Sequence, residues 1–393
     1  MLRSSLYYSG GLVTQRRNEF DLLCACAGVE LGPTRAARIA DWSQSSVDWE
    51  EFLRLAELHG VLPLVARNLQ RHAQGLPSPV DEKLRSAFDA NVRRSLWFAG
   101  ELARIQIQFE KDHVFAIPYK GPTLAELSYG DVALRNFSDL DFLIAPAQFE
   151  AARKSLAELG YRPSSELSSS VERYWLRNGY ERPFDSAAGK YLVELQWGLL
   201  PHFYAVDLRI DDLLARSHPA LLGGREVPSL SPEDLLLVLS LHGAKHLWMR
   251  LIWVCDIAET LRTQTLDWAV FVAWARKLGV LRMAGVSMWL AQELLDCALP
   301  EPAQEVVSGD PEVANLGEAF VTRLERGTAY DFESTEYFRL ILKLRERSTD
   351  QMRYIWRLLW TPGEGDLAVI RLPEVLFPLY RGVRAVRLIR KIF

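Results

Sequence analysis

The sequence predicts an α+β fold, a small mixed sheet set between two helical flanks. Three observations predict it. Apolar residues recur at helical spacing between capping signals at both ends of the chain. In the middle, short apolar runs alternate with helical segments. The length of 393 residues exceeds what one ordinary core organises. The expected regions are a helical 1–105, a mixed 106–225 and a helical 226–393 that ends in a basic tail.

The elements follow in order. "SVDWEEFLRLAELHGV" has an N-cap at Asp48, apolar residues at Trp49, Phe52, Leu53, Leu55 and Ala56, and a stop at Gly60. "TLDWAVFVAWARKLGV" echoes it, with Asp267, Trp268, Phe271, Ala275, Gly279 and Val280 at matching positions. One echo does not make a repeat array; a common capped-helix recipe is the favoured account of it, with an internal duplication as the other. "HVFAIPYKG" reads as a short buried strand ending in Lys120-Gly121, and Pro122 opens a helix after it. A loop leads to the strand "DLDFLIA", then to an amphipathic helix from Pro146 to Gly160. "SSELSSS" reads as a surface loop and "KYLVELQWGL" as a further strand. After a Gly-Gly turn in "LLGGREVPSL", Ser231 caps the helix "PEDLLLVLSLHGAKHLW", with Asp234 three residues on. The remainder reads as largely helical.

Bulk composition narrows the function classes. The chain is 49% apolar and 24% charged with a net charge of −4, so no global field recruits nucleic acid or membrane. Cys24, Cys26, Cys255 and Cys297 are too few and too scattered for a disulfide framework or a zinc site, which fits a reducing cytoplasm. "MLRSSLYYSGGLVTQRR" lacks the apolar stretch of a signal peptide, and no run approaches the ~18 apolar residues of a membrane span. The expectation is a cytoplasmic protein.

The chemistry concentrates in "YKGPTLAELSYGDVALRNFSDLDFLIAP", Tyr119 to Pro146. On a strand, Asp139 and Asp141 share a face while Leu140 and Phe142 take the other. Two such anions repel unless a divalent cation bridges them or one takes a proton, and Mg²⁺ suits a carboxylate pair that also meets phosphate. Taken alone, a D-x-D is also what a solvated strand entrance looks like. Glu194, between Val193 and Leu195, adds a third carboxylate from another strand and would complete a site for two metals ~4 Å apart. Gly121 lets a phosphate approach backbone N–H groups, Lys120 adds a charge there, and Arg135 is close enough in sequence to counter a polyphosphate.

"LHGAKHLWMRLIWVCDIAE" carries His242 and His246 four apart, with Met249, Trp253 and Asp256 continuing one helical stripe. His242 is followed by Gly243, so the H-E-x-x-H of a metalloprotease is missing, and no His-Asp dipeptide supports a phosphohydrolase. Two readings stand. In one, Lys245, His246, Arg250 or Asp256 holds nucleotide or acceptor against the sheet. In the other, which the histidines favour, the group is a packed interhelical network. In the tail, Arg381, Arg384, Arg387 and Arg390 recur every three residues, a solvated face or a weak contact for an acidic membrane surface or RNA.

Taken together, "KGPTLAELSY", "LRNFSDLDFLI", "VELQW" and "LHGAKHLWMRLIWVCDIAE" resemble, in that order, the uncharacterised nucleotidyltransferase family, a branch of the polymerase-β-like nucleotidyltransferase superfamily. The likeness covers roughly residues 30 to 270, with a fainter echo in "LPEVLFPLYRGVR". It implies a mixed sheet, a glycine turn after the first strand, and transfer of a nucleoside monophosphate from an NTP, ATP by default, to a hydroxyl-bearing peptide, protein, RNA or small molecule. It further implies Mg²⁺, or Mn²⁺ in its place, on Asp139 and Asp141, with Glu194 as ligand or base. Lys120 and Gly121 match the phosphate-contacting turn, and the resemblance sets the helix of Lys245 and His246 near the site. Two departures stand out: the turn reads Lys-Gly-Pro rather than Gly-Ser or Gly-Gly, and Gln196 replaces a histidine that members often carry. A Gln carries no proton. The alternative is a catalytically weak nucleotide-binding regulatory or scaffold protein on the same fold.

Overall fold

In the computed structural model of this chain, residues 18–42, 47–186, 192–328, 331, 334–362, 366, 370, 372 and 374–392 are described. Four helices come first: α1 (Asn18–Cys26), α2 (Pro33–Trp42), α3 (Trp49–Leu58) and α4 (Leu62–His72). The long α5 (Ser78–Lys111) then leads into β1 (Ala116–Pro118) and the short α6 (Gly121–Leu124), which widens into a π turn over Ala125–Tyr129. Next are β2 (Asp139–Ile144), α7 (Phe149–Glu158), β3 (Tyr161–Pro163), α8 (Ser169–Asn178), β4 (Glu181–Ser186) and β5 (Leu192–Gln196). α9 (Ile210–Ala215) precedes the hairpin of β6 (His218–Leu222) and β7 (Arg225–Ser229), whose Gly223 and Gly224 turn at positive φ as the Gly-Gly signal required. The chain continues with α10 (Pro232–Lys245), α11 (Leu251–Thr263), α12 (Trp268–Leu278), α13 (Leu281–Leu295), α14 (Glu301–Ser308), α15 (Pro311–Arg326), α16 (Thr335–Leu344) and α17 (Ser348–Trp360). A last helix spans Tyr380–Ile392. The class is α+β, as expected.

The five-stranded sheet has the order β1-β2-β5-β4-β3. Only β2 and β5 run parallel, and every other pairing in it is antiparallel. The faces of β2 divide between two cores. Leu140, Phe142 and Ile144, with Val193 and Leu195 of β5, pack with Phe98, Leu102, Ile105 and Phe109 of α5 and Phe149 and Leu156 of α7. Leu143, with Ile117 and Tyr119, belongs instead to a larger core that joins helices from both ends of the chain. Described helices between Phe20 and Leu69 and between Leu230 and Tyr354 therefore share one interior.

The Asp48 and Asp267 segments are alike beyond their caps. The Asp48 carboxylate accepts from Glu50 and Glu51 N–H, and that of Asp267 accepts from Val270 N–H. The N–H of each aspartate donates to a glutamate two helices back, Asp48 to Glu19 at 3.0 Å and Asp267 to Glu233 at 2.7 Å. Both helices stop at a left-handed glycine, Gly60 or Gly279, after which Val61 or Val280 N–H reaches back to Ala56 or Ala275. Packing repeats too. α1 touches α2, α3 and α4, and α4 touches α2 and α3, while α10, α11, α12 and α13 pair in the same pattern. The echo is a repeated four-helix arrangement rather than a shared cap alone.

Four sequence expectations change. "SSELSSS" runs into α8, capped by Ser168. β4 was not foreseen, because Pro183 in its middle reads as a breaker. The Asp234 carboxylate goes to Arg216 instead of completing a capping box. The helix expected to run from His242 to Asp256 breaks after Lys245. Leu247 and Trp248 both adopt left-handed backbone, φ +48 and +46, before α11 begins. Side chains with a Cβ disfavour that region, so the turn is strained. It is held by Trp248, fully buried against Gly243 and Phe320 with its indole N–H on Ser287.

Candidate active site

Sheet register builds the site. Parallel pairing sets Asp141 beside Glu194 and Leu143 beside Gln196, and antiparallel pairing sets Glu181 of β4 beside Gln196. Paired residues share a face, so Asp139, Asp141, Glu194, Gln196 and Glu181 all point toward the larger helical core. The Leu140/Phe142 and Val193/Leu195 faces are turned away, as strand alternation requires. Gly121 at φ +57 makes the turn from β1 into α6 possible. A Cβ there would stand 3.2 Å from the Asp139 carbonyl, so the close approach it permits is to the start of β2 itself.

A cation already sits among these acids. Lys120 Nζ donates to Asp141 Oδ1 at 2.9 Å, with both side chains almost wholly buried. Gln196 Nε2 donates to the same oxygen at 2.9 Å and to Glu194 Oε2 at 2.8 Å, while its Oε1 accepts from the Tyr119 hydroxyl at 2.7 Å. That tyrosine bond orients the Gln196 amide so that its NH₂ spans the two carboxylates. Asp141 Oδ1 thus has two donors, whereas Oδ2 is buried with no hydrogen-bond partner.

Burial, then repulsion from Asp141, lifts the Asp139 carboxyl to about 6. Burial, then Asp141 and Glu181, pushes Glu194 to about 8. Burial alone would depress the Lys120 ammonium, but Asp141 and its neighbours outweigh it and hold the group well above the ordinary lysine value.

The end of α10 closes over this face. Lys245 lies 3.7 Å from Glu181 Oε2 and 4.5 Å above the Tyr180 ring, and burial lowers its ammonium. Its carbonyl accepts from Tyr337 at 2.8 Å, and the Tyr204 hydroxyl lies 3.3 Å from the same oxygen. His242, His246 and Trp253 form a ring cluster with centroids 4.7 to 5.4 Å apart, brought together by the reversal at Leu247 and Trp248. Burial holds both imidazoles well below their ordinary value, with Lys120 contributing for His242 and Lys245 for His246. Ring-on-ring packing of this kind is what the interhelical reading expects of the two histidines.

Two expectations are corrected by geometry. Arg135 is not presented to a polyphosphate. Its guanidinium forms a buried two-pronged pair with Asp256, at 2.7 and 2.9 Å, and the Tyr129 hydroxyl joins the same carboxylate at 2.7 Å. The C-terminal basic stripe turns partly inward: buried Arg384 and half-buried Arg387 share Asp366, and Arg381 is exposed. The Arg390 side chain lies outside the described residues. Two of the stripe's arginines therefore share one carboxylate within the chain.

Among the described residues, no group of three or more His, Cys, Asp or Glu side chains stands close enough to hold a metal ion. Asp139, Asp141 and Glu194 share a face without forming a ready cage, because Lys120 and Gln196 stand among them. The donor set nonetheless suits a hard dication. It is made of carboxylate oxygens, and Asp141 Oδ2 is a buried acceptor left without a donor.

The structure brings Asp139, Asp141, Glu194, Lys120 and Lys245 to one face, and adds to them Tyr119, Glu181 and Gln196, for which the sequence reading gives no bonding partner. Alternation in "VELQW" carried the signal for Gln196, two residues past Glu194 on the same face. Among the described residues, no helix is long and apolar enough to cross a membrane. No curated protein and no solved structure matches the chain. Residues 45–296 match the family described as "Uncharacterised nucleotidyltransferase", extending past the 30–270 span of the sequence likeness at its C-terminal end and omitting the "LPEVLFPLYRGVR" echo. That span is well over half of the chain and contains the whole carboxylate face, so this protein belongs to the uncharacterised nucleotidyltransferase family, an enzyme family of nucleotidyl transfer.

Proposed function

We propose that the enzyme transfers a nucleoside monophosphate from an NTP, ATP by default, to a hydroxyl-bearing acceptor in the cytoplasm. The observation that carries this reading is the placement of Asp141 beside Glu194 on parallel strands, with Asp139 on the same face and two lysines over it. In the reaction, the acceptor oxygen forms a bond to the α-phosphorus, the bond between that phosphorus and the α,β-bridging oxygen breaks, and pyrophosphate leaves. The four cysteines are thiols, three of them buried, which supports a reducing compartment.

Asp139 and Asp141 would hold Mg²⁺ or Mn²⁺, with Glu194 as third ligand or as base, and the bound ion would supply charge neutralisation at the phosphates. The protein's own residues do the rest. Gln196 fixes the spacing of Asp141 and Glu194 across the two strands. Glu194, lifted to about 8, is a strong proton acceptor once ionised and takes the acceptor's hydroxyl proton as the new bond forms. Lys120 and Lys245 supply positive charge where the departing pyrophosphate gains negative charge. Tyr337 and Tyr204 keep the Lys245 end of α10 in place.

The test is incubation with the four α-labelled NTPs and a cell lysate, followed by a search for a labelled product. Wild-type protein should give one, and Asp139→Asn and Asp141→Asn should each remove it while the chain stays folded. Undiminished labelling with both variants would refute the assignment. No label from any NTP, with pyrophosphate release also absent, would favour the nucleotide-binding scaffold instead.

A further inference from the structure

We infer that Lys120 is a resident counter-cation that keeps a divalent ion out of the carboxylate cluster until an incoming triphosphate draws the ammonium away. Three observations meet here. Lys120 Nζ is bonded to Asp141 Oδ1 at 2.9 Å with 10% of its side chain exposed, so it occupies the interior of the cluster rather than its rim. That oxygen is also served by Gln196, while Asp141 Oδ2 is buried without a donor, so the carboxylate is half satisfied. Among the described residues the acidic side chains, though in register on one face, do not stand close enough together, with Lys120 in place, to hold a metal.

The electrostatics give these facts a direction. The Lys120 ammonium is bonded to one carboxylate of the cluster, a poorer match to several acidic groups than a dication offers. With Lys120 in place, however, a dication on Asp141 would meet a positive charge only a few ångströms away. A triphosphate removes that conflict, because its oxygens take the ammonium and add ligands for the ion. Lys120 stands at the end of β1 on extended backbone, φ −117 and ψ −156, directly before the left-handed Gly121, and its Nζ lies 5.0 Å from the Tyr119 ring centre. Rotation of the side chain alone would carry the charge from the sheet face toward the turn. Lys245, paired with Glu181 at 3.7 Å, is a second cation on the same face, so an arriving polyphosphate meets two. The identity of the displacing anion rests on the nucleotidyl-transfer reading; the exclusion of the metal does not.

The experiment is Mn²⁺ binding to the full-length chain, followed by electron paramagnetic resonance, with and without the non-hydrolysable α,β-methylene analogue of ATP. Without nucleotide, Lys120→Met should bind Mn²⁺ about 100-fold more tightly than wild type, the middle of the range that a neighbouring charge exerts on a carboxylate. Lys120→Arg, which keeps the charge, should bind as weakly as wild type. With the analogue, wild type should tighten by at least the same factor. Wild type binding Mn²⁺ alone as tightly as Lys120→Met, or Lys120→Arg behaving like Lys120→Met, would overturn the inference. Should Lys120→Met fold poorly, Mn²⁺ should raise its melting temperature more than that of wild type. A variant that stays unfolded in saturating Mn²⁺ counts against the inference, since a dication in the same place should replace the lost ammonium. The two proposals fail separately. Absence of nucleotidyl transfer with the Mn²⁺ pattern intact would sink the reaction and leave the counter-cation standing, and transfer by a wild type that binds Mn²⁺ tightly alone would do the reverse.

Discussion

Replacing Asp256 by alanine should be among the most damaging single changes in this protein, although the residue lies outside the carboxylate face. Its carboxylate accepts from Arg135 Nε and Nη2 and from Tyr129, and the two charged side chains are 6% and 2% exposed. Asp256→Ala leaves a buried guanidinium without its paired carboxylate and takes the acceptor from the Tyr129 hydroxyl. Breaking a pair of this kind costs about 3–5 kcal/mol, against about 0–1 kcal/mol for an exposed pair. Arg135→Met/Asp256→Leu removes both charges together and should recover most of the loss, because no uncompensated ion remains. Urea unfolding followed by tryptophan fluorescence and far-UV circular dichroism gives both numbers. A loss below about 1 kcal/mol for Asp256→Ala, or a double variant no better than the single one, would refute the reasoning. The same pair of variants tests the role of Arg135. If its guanidinium served a polyphosphate, Asp256→Ala would free it and improve NTP binding; the clasp geometry predicts no such gain.

Other outcomes follow from the buried groups. His59 is fully buried, donating from Nε2 to Leu324 O and accepting at Nδ1 from Leu251 N–H, and burial lowers it to about 4. The unfolded chain takes up that proton near 6.5 and the folded one does not. The His59 contribution is therefore complete above pH 6.5 and falls by about 3 kcal/mol as pH drops to 4; His59→Leu should flatten that part of a urea-midpoint profile, and an unchanged slope would count against it. Gln196→Ala should lower turnover about 10–100-fold with little change in KM, since the amide spaces two carboxylates, and equal losses in both constants would point to substrate contact instead. With Glu194 at about 8, most of that carboxyl is protonated at pH 7, so metal loading there should release about one proton. Calorimetry in buffers of different ionisation enthalpy measures the release, and Glu194→Gln should abolish it.

The legible part of the site was the part written in strand alternation. "DLDFLI" and "VELQW" gave the facing of Asp139, Asp141 and Glu194, because a period of two leaves only one other choice of face. The parts that escaped depend on partners far along the chain or on backbone that no residue type announces. Arg135 sits four residues before Asp139, which suggested a phosphate, but its partner Asp256 is 121 positions away. β4 and Glu181 were hidden by Pro183. The break after Lys245 was hidden by an unbroken apolar pattern, since Leu247 and Trp248 take left-handed backbone without the Gly or Asn that usually marks it. Lys120 was read as facing a ligand because sequence gives its position on the turn and not the direction of its side chain.

The shared interior of the chain's two ends bears on how the molecule is made. Val29 N–H reaches Glu259, Arg35 reaches the Leu295 carbonyl, and His59 reaches that of Leu324, separations of 230, 260 and 265 residues. On the ribosome, the opening helices leave the tunnel long before those partners are translated. The sheet and α5, whose contacts span a shorter stretch, are able to settle first, while the early apolar helices wait in the open. Nascent chains stalled between about residues 240 and 290 should consequently show a protease-resistant centre, a digestible beginning and a marked demand for chaperones.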